Sequence, residues 1–236
     1  LLAVAQTRWF ENTTDGFVYG AAAGLGFAMT ENFLYFQSQI GQGWTSWLYV
    51  VLIRTACSGL MHAMATSIVG AAIGWAKCRT IDIRIASLLV GLACAIIVHA
   101  VWNTLIVLEV YIGGQAIVMD IVIFAVEFLI VFGIFLAGIE GEHRMLIDEL
   151  MEEAEGGVLP PQHVHIIASV RRRRSIGWCP PNIDQQKYVE TATKLAFKRM
   201  QCRAHGPDHA KYTDEAREIR HALRAMLGTR PLPPKG

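Results

Sequence analysis

An all-α polytopic membrane bundle with a helical tail is the fold class this sequence predicts, and three observations carry the prediction. The 236 residues are 53% hydrophobic and 17% charged, with a mean hydropathy of +0.36, too apolar for a soluble domain of this length. About four stretches reach the roughly 20 apolar residues that cross a hydrocarbon core. The charge is segregated, for of 21 Lys and Arg only Arg8, Arg54, Lys77, Arg79 and Arg84 precede Ile139. Two solvents follow, a bilayer for residues 1–139 and water for residues 140–236.

The predicted spans cover residues 16–39, 46–76, 85–108 and 115–138. The connectors after the first and third contain no Lys or Arg, whereas the second carries Lys77, Arg79 and Arg84. By the positive-inside rule that second connector is cytosolic, and alternation puts Arg8 and the basic tail on the same side. Small residues at four-residue spacing, Gly20 with Gly24 and Gly70 with Gly74, predict close helix contact in lipid. Residues 1–5 are read as the end of a truncated helix, because the chain opens on Leu1 with no basic region and no cleavage pattern.

Past Gly138 the pattern becomes acidic and amphipathic, which predicts that the last span continues as a helix to Gly156-Gly157. A Pro-containing linker follows. Two amphipathic helical patterns, 184–202 and 208–227, flank Gly206-Pro207, and a Pro-rich end closes the chain. Five cysteines with no paired spacing suggest neither a disulfide framework nor a thiolate zinc site. A formal net charge of +1 argues against a polyanion binder, so nucleic acid is not an expected partner.

The informative residues are those that are expensive in lipid, where an ionisable group faces a partner or a wet cavity. They are Glu31 in the first span, Arg54 and His62 in the second, His99 with Asn103 in the third, and Asp120 and Glu127 in the fourth. At a rise of about 1.5 Å per residue, Glu31, His62 and His99 all come out roughly 21 to 22 Å from the cytosolic ends of their spans. A carboxylate and two imidazoles at one depth form the ligand set of a catalytic zinc ion that keeps a position open. Their tips are therefore expected within about 6 Å of one another. Asn103 follows His99 by one turn and shares its face, where an amide N–H can donate to a developing oxyanion. The bland alternative is that each histidine is a hydrogen-bonding residue between helices. Asp120 and Glu127, seven apart, lie on one face, which reads as a proton path or a substrate gate or, more ordinarily, as partners of a group such as Arg54. Residues 171–174, four arginines, read as a lipid-headgroup patch or as a solvated run. His163 with His165, and His205 with His209, lack the further ligands of a metal site.

Three blocks in order carry a resemblance. Asp15-Gly16-Phe17-Val18-Tyr19-Gly20 with Gly24-Leu25-Gly26-Phe27-Ala28, Glu31-Asn32 and Tyr35 comes first, then Arg54 with His62, then His99-Ala100-Val101-Trp102-Asn103. Together they resemble the PrsW family of intramembrane metalloproteases, itself similar to the CAAX prenyl proteases and their bacterial Abi-type relatives. The resemblance implies a metal-dependent endopeptidase acting on membrane proteins, an anti-sigma factor among them. It implies a divalent metal, zinc by the ligand set, at Glu31, His62 and His99, with Asn103 supporting the transition state. Family members also carry a Glu-Glu-x-x-Lys motif ahead of the Asp-Gly stretch, whose first glutamate is the natural general base. No residue here matches it, and Glu11 sits in a connector, so this segment alone is expected to be inactive until the upstream helix is restored. A transport or binding protein, and a silent membrane scaffold, are the competing readings. Paired discontinuous helices in repeated halves, which would point to a transporter, are not visible.

Overall fold

The computed structural model describes residues 1–7, 10–112, 114–205 and 210–228. All regular elements among them are helical. The chain divides into two compact units, Leu1–Ile139 and Glu140–Gly236.

The first unit begins with the short α1 (Leu2–Ala5) and continues into α2 (Thr13–Ser38). Asn12 caps α2, its side-chain oxygen accepting from the Asp15 amide at 2.7 Å, while Asp15 accepts from the Glu11 amide at 2.8 Å. This reciprocal cap fixes the helix start. Next come α3 (Trp44–Ile53), a π-helical turn at Arg54–Ser58, α4 (Gly59–Ala76), α5 (Ile81–Ile112) and α6 (Gly114–Glu155), of which the part up to Ile139 belongs to this unit and the rest to the second. Among the described residues, three stretches are long and apolar enough to cross a membrane, Trp44–Ala76, Ile81–Leu108 and Ile121–Glu155. The first expected span is a helix of 26 residues, yet it is less apolar than these three. Asp15, Glu31, Asn32 and Gln37 dilute it, and glycines replace the bulky side chains on its packed face.

That face explains the bundle. The buried positions of α2 are Gly16, Gly20, Gly24, Ala28 and Asn32, one every four residues. A Cβ on Gly16 would lie 2.0 Å from the Gly70 carbonyl oxygen, one on Gly20 2.4 Å from that of Thr66, and one on Gly24 2.2 Å from that of His62. Backbone therefore touches backbone along the whole α2–α4 contact, as small residues permit in lipid. On its other side α4 receives α5 through Ala65, Val69 and Ala95, with Gly91 against Ala72 and Val69. The outward surface of the unit is rich in exposed apolar residues such as Phe33, Leu89, Val90, Ile96, Ile97, Ile121 and Leu129, which fits a hydrocarbon surround and no aqueous one.

The second unit has its own core. Leu146 and Leu150 pack with Val158, Val164, Ile167, Tyr188, Leu195 and Leu223, all 2% exposed or less. The expected linker contains a further helix, α7 (Pro161–Ala168), with proline in its first turn. Proline is tolerated there because that N–H has no helical acceptor, and the sequence reading, which took Pro160-Pro161 as a break only, missed it. A 3₁₀ turn (Arg172–Arg174), α8 (Gln185–His205) and α9 (Ala210–Leu227) complete the unit. Asp184 caps α8 through the Lys187 amide at 3.1 Å. Arg199 bridges Glu149, Glu152 and Glu153, and Arg220 also reaches Glu153. Buried Glu149 and Glu153 are thus paired, as buried carboxylates must be.

Candidate metal centre

Glu31 lies seven residues beyond Gly24 on α2, two turns along the face that glycine presses onto the His62 backbone. The close approach brings the Glu31 carboxylate to α4, where Oε2 sits 2.9 Å from His62 Nε2. His62 is 3% exposed. Thr66 donates to the His62 carbonyl at 2.6 Å, and Phe27 meets the imidazole edge-on with centroids 5.0 Å apart. From α5, His99 stands with its ring centroid 4.8 Å from that of His62, inclined at 71°. One ligand atom each from Glu31, His62 and His99 lies within 4.8 Å of the others. Three helices thus deliver a carboxylate and two imidazoles to one point.

Arg54, at the π-helical turn, supplies a feature that spacing did not reveal. Its guanidinium donates to Glu31 Oε2 at 2.6 Å, and its Nε donates to Asn32 Oδ1 at 3.0 Å. The Asn32 amide returns a bond to the Arg54 carbonyl at 3.2 Å, and Tyr35 covers the guanidinium face, with 3.5 Å from Cζ to the ring centroid. The expected pairing of Glu127 with Arg54 is not seen, because Glu31 takes the guanidinium. The Asp120 side chain lies outside the described residues. Asn32 and Tyr35 were quoted only as part of a motif. The signal for their role was present in the four-residue stripe that ends at buried Asn32, and in a lone membrane arginine needing an acceptor.

Asn103 is exposed and one turn beyond His99 on α5. In the second unit His163 is buried and shares a 3.0 Å hydrogen bond with the Tyr188 hydroxyl, whereas His165 is exposed. The two do not form a site. His209 lies outside the described residues.

The sequence model of the PrsW family of intramembrane metalloproteases matches residues 1–134. The chain belongs to the PrsW family. It is accordingly an integral membrane hydrolase, an intramembrane metalloprotease that works in lipid on membrane-protein substrates with a divalent metal. The donor set of this PrsW-family chain fits such an ion, since two nitrogens and a carboxylate leave a fourth position free. No curated protein and no solved structure matches the chain.

Proposed function

We propose that Glu31, His62 and His99 hold the divalent metal of this protease, that the metal is zinc, and that peptide hydrolysis takes place between α2, α4 and α5. The observation that carries the reading is the convergence of the three ligand atoms within 4.8 Å from three helices. An ion held by these three residues would supply Lewis-acid polarisation of a peptide carbonyl.

The protein residues then have separate tasks. Arg54 donates to Glu31 Oε2 at 2.6 Å, so one carboxylate oxygen is already oriented where the group would ligate. His62 must present Nε2 without its proton. Glu31 Oε2, 2.9 Å from that nitrogen, is placed to take up the proton that His62 would have to release to ligate. His99 approaches from α5, and Asn103 one turn away offers its amide to the developing oxyanion. The substrate is a single-pass membrane protein, by family analogy an anti-sigma factor, and the tail from Glu140 onward is cytosolic, on the excess of Lys and Arg in the connector after α4 and in the tail.

A second reading has one observation in its favour. Glu31 Oε2 is already shared by Arg54 and His62, as in a polar clasp whose only task is to join α2 to α4. Cleavage of a single-pass substrate in detergent separates the two, with His62→Ala and His99→Ala compared in the full-length protease. Loss of cleavage in both, with insertion intact, supports the metal centre. Retained cleavage in either refutes it. Labelling of Cys179 or Cys202 from outside intact cells would refute the cytosolic tail.

A further inference from the structure

The loop after α7 carries four consecutive arginines, Arg171 to Arg174. Elsewhere in that unit Arg144, Arg199, Arg203, Arg217 and Arg220 each have an acidic partner. None of the guanidinium groups of Arg171, Arg172, Arg173 and Arg174 pairs with an acidic group among the described residues. The loop is nonetheless built. The Arg173 amide donates to the Ser169 carbonyl at 2.9 Å, Ser175 Oγ donates to the Arg172 carbonyl at 2.7 Å, and Gln185 Nε2 reaches the carbonyls of Arg173 at 2.8 Å and Ser175 at 3.0 Å. Its backbone is satisfied internally, which leaves the arginine side chains free to meet something outside.

Two aliphatic residues frame those cations, Val170 at 46% exposure and Ile176 at 99%. Neighbouring Trp178 packs against the unit's core instead, so full exposure is not a general property of the segment. Phosphate groups would satisfy the arginines, but a nucleic-acid backbone offers no apolar surface to a projecting isoleucine. An anionic lipid surface offers both, headgroup phosphates for the guanidinium groups and acyl chains just beneath for the aliphatic ends. The loop also belongs to a chain anchored in the bilayer, with Arg171 only 32 residues after the membrane unit ends at Ile139. Tethering of this kind raises the effective concentration of the surface, so weak individual contacts suffice.

We propose that residues 170–176 form a lipid-docking loop that seats the second unit on the anionic leaflet of the membrane its own helices span. The arginines supply attraction and Ile176 supplies insertion. Each arginine near such a surface contributes about fivefold to the docking equilibrium, so losing four should lower it by several hundredfold, on the order of 600-fold.

The test uses the full chain in nanodiscs, with a nitroxide at Ser175→Cys after the native cysteines are changed to Ser, and reads accessibility to oxygen and to a water-soluble nickel complex. In discs containing phosphatidylglycerol the label should be shielded from nickel and open to oxygen. That protection should disappear in pure phosphatidylcholine, at high salt, and when all four arginines are changed to Gln. Changing them to Lys should restore most of it, and Ile176→Ser should leave attachment but make it shallower. Helicity by circular dichroism identifies any variant that has unfolded, and the salt and lipid comparisons on the unchanged loop need no such variant. A label equally open to nickel in both lipids overturns the proposal. So does protection that appears only on adding single-stranded RNA, which would assign the loop to nucleic acid.

Discussion

Glu31 Oε2 and His62 Nε2 lie 2.9 Å apart, although 31 residues separate them in sequence. They meet because α2 and α4 touch backbone to backbone, with Gly24 against the His62 carbonyl. The site's geometry is thus a consequence of glycine spacing.

Gly24→Leu should separate α2 from α4 and disable the site without touching any ligand. Even a bare Cβ would lie 2.0 Å from Thr66 Oγ1 and 2.2 Å from the His62 carbonyl oxygen, and overpacking of this kind costs about 1–3 kcal/mol or more. Thermal unfolding in detergent checks the stability loss, and metal binding the loss of the site. Gly26→Ala is the control, since nothing lies within 4 Å of its Cβ position and alanine favours the helix.

Arg54→Leu should weaken metal binding by about 10- to 100-fold, the usual cost of losing a group that orients a ligand. Arg54→Lys should recover only part, because an ammonium cannot hold Glu31 and Asn32 at once or stack flat on Tyr35. Titration with zinc against a competing chelator measures both. An unchanged affinity in Arg54→Leu would mean that Glu31 needs no help in keeping its orientation.

In the second unit, burial pushes His163 below its ordinary value of 6.5. Its neutral form is the folded form, bonded to Tyr188 and edge-on to Trp178 with centroids 5.2 Å apart. The unfolded chain therefore takes up the proton first as pH falls. Stability from this group is full above about 6.5 and declines as pH drops through the lower folded value. Chemical denaturation from neutral to mildly acid pH should show that decline, and His163→Gln should flatten it. An equal acid sensitivity in the variant would place the cause elsewhere.

Much of this was legible in the sequence. Composition, span length and charge segregation pointed to a helical membrane protein with a basic tail, and ionisable residues in apolar spans singled out Glu31, His62 and His99 because such groups are too costly to be incidental. Three features were not legible. The α7 helix was hidden because Pro160-Pro161 reads as a break when only composition is weighed. The Arg54 partner was misjudged because span depth constrains height along the membrane normal and says nothing about which helix faces which. The apolarity of α2 was overestimated because its glycines, neutral on a hydropathy scale, were counted toward a span when their work is helix contact.

The central claim, that Glu31, His62 and His99 form one metal site, is tested most directly by metal content. The full-length protein, purified in detergent without added chelator and analysed by elemental mass spectrometry, should hold about one zinc per chain. His62→Ala and His99→Ala should each lose most of it while remaining folded and inserted. Zinc retained at the wild-type level in both variants would contradict the account and leave Glu31, His62 and Arg54 as a polar clasp between α2 and α4.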